Sequence, residues 1–277
     1  MHRIRQQSFY DKCFNLGINV EKQFYWYHSI DLGNNLVTPG VFDFRVNMEE
    51  YHFPKNMNGI SILDVGAATG FFSFEFAKRK AIVTATELPT LLELDVFPGQ
   101  SIKTVLNKVT KYSKDYGYQE PEKLNHELLY KLLLIEPFEF CKQHLSLSVN
   151  RRFVNIYNFS EETLGQSTFD WVFIGDVLLH TINPLQALAS AAKMCKDTLV
   201  IAQHISESPD DRPLMHYVGG DDIENDDSAW WRPNLSWFKQ TLKKLGFKSI
   251  EMVGGFNDKY LPIGNYEYKT VIHAKRN

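Results

Sequence analysis

The feature that most restricts the fold of this chain is an alternation of short apolar runs with amphipathic stretches, which begins near residue 60. Runs of five or six apolar residues predict buried strands, and the longer stretches between them have helical spacing. Strands that alternate with helices form a mostly parallel sheet covered on both faces. The predicted strands are Ile60–Val65, Ala81–Thr86, Phe153–Tyr157, Phe169–Ile174 and Thr198–Ala202, and the predicted helices among them are Phe71–Lys80 and Pro184–Cys195.

The C-terminal part of the chain departs from this alternation. A predicted amphipathic helix at Leu235–Leu245 is stopped by Gly246, and two strands follow at Lys248–Val253 and Tyr268–Ala274. Because only a loop rich in Gly, Asn and Pro joins these two strands, we expect them to pair antiparallel.

A length of 277 residues suits one large α/β domain or two small domains. We interpret the chain as a single domain with an N-terminal arm or lid (1–45), a core (46–89 and 151–277) and an insertion or cap (90–150). The arm is aromatic and has no regular pattern, whereas the insertion has helical stretches at Asn125–Leu134 and Phe138–Leu145. Insertions in open α/β sheets lie over the strand ends, where ligands bind.

Charge and cysteine usage favour a cytoplasmic protein. The chain has 30 Lys and Arg against 33 Asp and Glu, a formal charge of −3, so a nucleic acid partner would need a local basic patch. The three cysteines are odd in number and widely spaced, which favours reduced thiols. We expect no membrane association, since no apolar run approaches the ~20 residues that a span needs.

The run Leu63–Phe72 (LDVGAATGFF) follows a predicted strand and precedes a predicted helix. Its glycines permit a tight turn, and the free N–H groups of the helix start favour an electron-rich ligand group. Glu87 ends the next strand, 23 positions after Asp64, where a carboxylate can accept hydrogen bonds from two ribose hydroxyls. The run does not match the GxGxxG fingerprint of dinucleotide-binding proteins, and the glycines could also serve turn geometry alone.

The same run resembles the first motif of class I S-adenosylmethionine-dependent methyltransferases, Asp-x-Gly-x-Gly-x-Gly, with Ala68 in place of the middle glycine. Several further runs resemble the subfamily called tRNA (mo5U34) methyltransferase-like, and the likeness extends over residues 24–254. These runs are WYHSIDLG at 26–33, TPG at 38–40, GDVLLH at 175–180, NPL at 183–185 and SAWWRPNL at 228–235. The resemblance implies a Rossmann-like, seven-stranded, mostly parallel sheet with an antiparallel C-terminal hairpin and helices on both faces.

The resemblance also implies a set of cofactor-binding residues. Glu87 would hold the ribose, and an acidic Asp176, where many relatives have glycine, would contact either the cofactor ammonium or the substrate. The methionine end would lie against the turn and the adenine against the loop after the third strand. The complete set is Asp64, Gly66, Ala67, Ala68, Gly70, Phe71, Glu87, Leu88, Asn158, Phe159, Gly175 and Asp176.

Methyl transfer from a sulfonium is an in-line displacement, in which the protein mainly aligns the nucleophile and excludes water. A hydroxyl or ammonium nucleophile must lose a proton, and histidine is the usual acceptor. His180, His204 and His28 are therefore candidate catalytic residues, although each could be structural. Candidate substrate-binding aromatics, which could equally belong to the core, are Trp26, Tyr27, Trp230 and Trp231. No spacing indicates a metal site.

Three functions follow from these observations. The favoured function is methyl transfer from S-adenosyl-L-methionine to a small-molecule metabolite, which releases S-adenosyl-L-homocysteine. An alternative is modification of a tRNA wobble uridine by a methyl or carboxymethyl group, which the charge makes a weaker expectation. A further alternative is a non-catalytic adenosylmethionine-binding protein. The basic residues available for RNA are scattered: Arg3, Arg5, Lys103, Lys108, Lys111, Lys114, Arg151 and Arg152.

Overall fold

A computed structural model describes residues 2–21, 24–104, 107, 125–207, 211–221, 229–261 and 264–277. The strands of its main sheet are β1 Ser61–Val65, β2 Ile82–Glu87, β3 Asn150–Phe153, β4 Phe169–Gly175, β5 Cys195–His204, β8 Ser249–Tyr260 and β9 Gly264–Lys275. Two short strands, β6 Met215–Tyr217 and β7 Trp231–Pro233, pair with each other outside this sheet.

The main sheet has seven strands in the order β3-β2-β1-β4-β5-β9-β8. Strands β1 to β5 are mutually parallel, and β9 runs antiparallel between β5 and β8. The predicted Rossmann-like sheet with an antiparallel C-terminal hairpin is confirmed. The hairpin strands are longer than predicted and extend to Tyr260 and back to Gly264.

The helices pack on both faces of the sheet. They are α1 His2–Asn15, α2 Phe71–Lys78, α3 His126–Tyr130, α4 Glu136–His144, α5 Glu161–Leu164, α6 Pro184–Lys193 and α7 Leu235–Lys244. Two of them begin where the sequence indicates: the side chains of Asn183 and Asn234 accept hydrogen bonds from the backbone N–H groups of Gln186 and Trp237, respectively. These caps fix the start of α6 and α7.

Two apolar cores separate the sheet from its helices. On one face, phenylalanines of α2 pack on β4, and the rings of Phe72 and Phe173 lie 4.5 Å apart. On the other face, Leu188 of α6 and Phe238 of α7 pack on Val172 of β4. Both faces of β4 are therefore buried, as expected for a central parallel strand.

The N-terminal arm is more regular than its sequence suggests, because residues 2–15 form helix α1. Phe9 and Cys13, four residues apart, lie on one face of this helix and are buried. The ring of Phe9 contacts Trp26 edge to face, with a centroid distance of 5.3 Å. The helix is held to the domain by this aromatic cluster.

The third strand is shorter and earlier than predicted. It spans Asn150–Phe153 rather than Phe153–Tyr157, and a 3₁₀ turn follows at Ile156–Asn158. As an edge strand, β3 carries mostly exposed residues and therefore has no apolar pattern that would reveal it. Of the residues that were assigned to the strand, Val154, Ile156 and Tyr157 line a cavity instead.

After a 3₁₀ turn at Leu91–Glu93, residues 126–144 of the insertion form one helical run rather than two separate helices. A π-helical turn at Lys131–Ile135 joins α3 to α4, and Pro137 lies in the first turn of α4. Proline lacks the N–H that a continuous α-helix requires, which accounts for the widened turn before it. Among the described residues, no helix is both long and apolar enough to span a bilayer.

Candidate functional site

A cavity of about 650 Å³ opens at the carboxyl ends of β1, β2 and β4, within the usual range of about 300–1,000 Å³ for ligand sites. Its walls come from the loops after these strands, the arm, the described part of the insertion and the end of β8. Parallel strands place their carboxyl ends at one edge of a sheet, so residues distant in sequence meet there.

The turn after β1 forms the floor of this cavity. Gly66, Ala67 and Ala68 line it, whereas Gly70 and Phe71 are buried behind it, outside the lining. Gly66 has φ +68, and a Cβ at this position would lie 2.7 Å from Val177 Cγ2. Glycine is therefore required at residue 66 both for the backbone conformation and for space.

Two carboxylates flank the turn. Asp64 is 2% exposed and accepts a hydrogen bond of 2.5 Å from the hydroxyl of Ser73, and burial raises its pKa to about 7. The carboxylate of Glu87 accepts hydrogen bonds from the backbone N–H groups of Ala68 and Leu88, both at 2.9 Å. Burial also raises the pKa of Glu87. Its two oxygens retain lone pairs for additional hydroxyl donors.

The loop after β3 forms another wall. Phe159 lines the cavity, together with apolar residues that had been assigned to the strand, Val154 and Ile156. Asn158, predicted beside Phe159, is not among the lining residues. Leu88 and Gly175, which follow β2 and end β4, complete the part of the cavity that the sequence predicted.

Asp176 lines the cavity and belongs to a buried group of charges. Its carboxylate forms an ion pair with the ammonium of Lys269, which is 1% exposed and lies 3.0 Å from a carboxylate oxygen of Asp258. His204 Nε2 is 3.4 Å from the same oxygen of Asp258. Asp176, His204 and Asp258 have metal-ligand atoms within 4.8 Å of one another, and the ammonium of Lys269 supplies the positive charge between both carboxylates.

The three candidate histidines lie in different environments. His28 and His180 both line the cavity, and His180 is exposed. Burial, together with the charge of Lys269, lowers the pKa of His28 to about 3, and its Nδ1 lies 3.5 Å from the backbone N of Phe71. His204 lies outside the cavity lining; burial lowers its pKa, but Asp258 and Asp176 outweigh this effect and the net pKa is raised.

Of the candidate aromatic residues, Tyr27 alone lines the cavity. Trp26 is 1% exposed within the arm, and Trp230 is fully buried. The indole N–H of Trp231 donates to the carbonyl of Ile182 at 3.2 Å. These three tryptophans are therefore committed to packing and to the structure around β7.

The structure adds other rings that the sequence did not single out. Tyr27 and Phe42 have ring centroids 5.0 Å apart, and so do Phe42 and Tyr260. The aromatic wall, as we name it, comprises Tyr25, Tyr27, Phe42, Phe44 and Tyr260. Aromatic density in residues 24–44 signals four of these rings, whereas nothing local signals Tyr260 at the end of β8.

The cavity is acidic. Its lining includes five carboxylate side chains and, among the described residues, neither Lys nor Arg. The carboxylates belong to Asp64, Glu87, Glu93, Asp95 and Asp176. Of these, Asp95 is engaged by the hydroxyl of Tyr157 and the backbone N–H of Ile182. A cavity of this charge favours neutral or cationic ligands over anions.

No protein-family model matches the chain, and no curated protein matches it. Solved structures do match. The YcgJ protein from Bacillus subtilis is 9% identical, with a TM-score of 0.50 over 84% of this chain and 97% of that chain. Magnesium protoporphyrin IX methyltransferase from Synechocystis PCC 6803, with bound SAM, is 11% identical (TM-score 0.46; 80% and 72% covered). A Burkholderia thailandensis 1,6-didemethyltoxoflavin-N1-methyltransferase is 13% identical (TM-score 0.43; 79% and 71% covered). At this level of identity the likeness to YcgJ shows the fold alone.

Proposed function

We propose that this chain is an S-adenosylmethionine-dependent methyltransferase that acts on a small molecule. The observation that carries the proposal is a contact between the ends of β1 and β2. The carboxylate of Glu87 accepts a hydrogen bond from the backbone N–H of Ala68, in the turn that follows Asp64. With this contact, a carboxylate that would accept hydrogen bonds from a ribose and one that would bind an ammonium lie in the same cavity. The sequence resemblance to the first methyltransferase motif covers the same residues.

The chemistry of the lining fits this cofactor better than a dinucleotide. S-adenosylmethionine carries a sulfonium, an ammonium and one carboxylate and has no phosphate, so buried carboxylates attract its net charge of about +1. A pyrophosphate would instead meet Asp64 and Glu87 without a Lys or Arg among the described lining residues to offset them. The acidic cavity thus favours S-adenosylmethionine over a dinucleotide, as the spacing of the glycines already did.

Three parts of the cavity lining would contact three parts of the cofactor. Asp64, Gly66 and Ala68 would contact the methionine end, and Glu87 with Leu88 would hold the ribose. Phe159 would pack on the adenine, and Gly175 would leave room beneath the sulfur. When bound, the cofactor supplies an electrophilic methyl group on a positively charged sulfur.

On the acceptor side, the arm would exclude water and align the substrate, as expected for a lid. His180 is the candidate histidine best placed to take a proton, because it lines the cavity and is exposed. His28 is a poor base at a pKa of about 3 and instead closes the cavity beside α2. His204 serves the charge group around Asp258.

The described basic residues do not favour the tRNA alternative. Arg5 donates a hydrogen bond to the carbonyl of Gly40, and Arg151 donates one to the carbonyl of Leu134, so both guanidinium groups serve the fold. Carboxymethyl transfer would also need a cation for the extra carboxylate, and the described lining offers none from Lys or Arg. Lys108, Lys111 and Lys114 lie outside the described residues.

The test begins with calorimetric titration of S-adenosylhomocysteine into the pure protein. We expect binding, and we expect Glu87→Ala to weaken it at least about tenfold, since a ribose normally gains two charge-assisted hydrogen bonds from this carboxylate. Glu162→Ala, an exposed glutamate on α5, is the matched control and should bind as the wild type does. Absence of binding to the wild type refutes the proposal.

The second step separates the acceptors. The protein is incubated with a methyl-labelled donor and either a small-molecule cell extract or total tRNA. Label in a small molecule supports the proposal. Label in tRNA refutes the small-molecule acceptor and favours the tRNA alternative. Cofactor binding without any transfer favours the non-catalytic alternative.

A further inference from the structure

The side chain of Asp176 points away from the residues proposed to hold the cofactor. Strand β4 lies between β1 and β5 in the sheet, and Asp176 directly follows β4. Its ion-pair partner Lys269 belongs to β9, beyond β5, so the carboxylate is directed across β5. Asp64 lies one residue before the end of β1 and Glu87 ends β2, both on the opposite side of β4. Asp176 is therefore directed to the side of the cavity away from Asp64 and Glu87. We call this side, where the methyl acceptor would bind, the acceptor half.

Asp176 shares its counter-ion with a second carboxylate. The single ammonium of Lys269 pairs with both Asp176 and Asp258, and the pKa of His204, beside Asp258, is raised. One oxygen of each carboxylate is buried and has no hydrogen-bond partner in the described structure. Buried carboxylate oxygens are normally satisfied, and of these two carboxylates only Asp176 lines the cavity, where a ligand could supply a donor.

One ring of the aromatic wall and the carboxylate of Asp176 contact the same ammonium. Phe44 belongs to the wall, and its ring lies 4.4 Å from the ammonium of Lys269, the partner of Asp176. Phe42 and Phe44 are stacked, with centroids 5.9 Å apart and planes inclined by 7°. Flat rings next to a carboxylate are the combination that binds cationic nitrogen, through the negative ring faces and the ion pair.

We infer that the acceptor half of the cavity recognises a flat small molecule that carries an amine or another cationic nitrogen, bound by Asp176 and the aromatic wall. This inference rests on the proposed function and names its substrate class. It also assigns Asp176 to the substrate rather than to the cofactor ammonium, between which the sequence left the choice open. Anionic acceptors are excluded by the same acidic lining.

The experiment uses three probes that share a phenol ring and differ in the charge of their end group: tyramine, tyrosol and 4-hydroxyphenylacetate. Each is titrated at pH 8 into the full-length protein saturated with S-adenosylhomocysteine. We expect tyramine to bind about tenfold more tightly than tyrosol, and the acid to bind most weakly.

Substitutions locate the preference. Asp176→Asn should reduce the preference for tyramine over tyrosol to within about twofold, whereas Glu93→Gln, which removes one charge at the β2 side of the cavity, should retain it. Should Asp176→Asn fail to fold, Tyr27→Leu provides the second variant, since loss of a wall ring should also weaken tyramine more than tyrosol.

The outcomes distinguish this inference from the proposed function. If S-adenosylhomocysteine itself does not bind, the proposed function fails. If it binds and the acid is preferred, or tyramine and tyrosol bind equally, or none of the three probes binds, the cofactor site stands and the amine inference is overturned. A tyramine preference that Asp176→Asn leaves intact also overturns it, because the selectivity would then arise elsewhere.

Discussion

If Asp64 contacts the ammonium of the cofactor as proposed, the affinity for the cofactor should depend on pH. Burial raises the pKa of this carboxyl to about 7, so it is largely neutral at pH 6 and ionised at pH 8. The amino group of S-adenosylhomocysteine is positively charged over this range and is attracted by the ionised form alone. Affinity should therefore rise with pH up to about 7 and level off above it.

The magnitude follows from the fraction ionised. With a pKa of about 7, roughly a tenth of the Asp64 carboxyls are ionised at pH 6 and roughly nine tenths at pH 8. The dissociation constant of S-adenosylhomocysteine should thus fall about tenfold between these two pH values, a difference of about 1.4 kcal/mol in binding free energy. Near pH 6, binding should release about one proton from Asp64 for each ligand bound.

Titration calorimetry at pH 6, 7 and 8, in pairs of buffers with different ionisation enthalpies, measures both the affinity and the proton release. Asp64→Asn keeps the shape of the side chain and removes its ionisation. This variant should bind with similar affinity at pH 6 and at pH 8, and about tenfold more weakly than the wild type at pH 8.

One control isolates the carboxyl of Asp64. His180→Gln should keep the slope of affinity against pH, since His180 lines another part of the cavity. An affinity of the wild type that is equal at pH 6 and pH 8, or a slope that survives Asp64→Asn, would refute the assignment of Asp64 to the ammonium.

Three further predictions concern single positions. Gly66→Ala should lower the free energy of unfolding by about 2 kcal/mol in urea denaturation and weaken the binding of S-adenosylhomocysteine, because the new Cβ meets Val177. The control Gly17→Ala has the same φ of +68 without a neighbouring atom and should cost about 1 kcal/mol. Equal losses of stability would contradict the steric argument. Lys269→Met should cost about 3 kcal/mol in the same assay, because it leaves Asp176 and Asp258 buried without their cation, and the exposed control Lys275→Met should stay within about 0.5 kcal/mol. His180→Ala should lower kcat about a hundredfold at unchanged S-adenosylhomocysteine affinity once an acceptor is in hand, and an unchanged kcat would remove His180 as the base.

The sequence predicted the central strands, and it indicated that Asp64 and Glu87 lie near each other, because both inferences depend on local patterns. The apolar runs of β1 and β4 are buried on both faces, so their hydrophobic residues are continuous and easy to recognise. Asp64 and Glu87 could be paired in advance because each ends or lies within a strand of a parallel sheet, whose carboxyl ends share an edge. Strand β3 was misplaced since an edge strand with exposed side chains carries no such pattern.

Helix α1 escaped prediction for a related reason. Two buried residues with helical spacing, Phe9 and Cys13, are too few to define an apolar face in the sequence. The burial of Phe9 becomes clear only from its contact with Trp26. The tryptophans were ambiguous in the opposite sense, because a large aromatic side chain serves a core and a ligand wall equally well. Only the packing of Trp26 and Trp230 in the interior removed them from the cavity.

The sequence by itself determined an α/β sheet with a glycine turn and the carboxylate of Glu87 at one edge, since strand periodicity and turn chemistry are properties of neighbouring residues. The residues that form the acceptor half could be recognised only from the tertiary structure. Lys269 lies 93 positions from Asp176, and Tyr260 reaches Phe42 from the end of β8. Both meetings depend on the order of strands in the sheet, where β9 enters antiparallel beside β5. That order is set by which faces and edges pack together across the whole domain, and no local pattern records it.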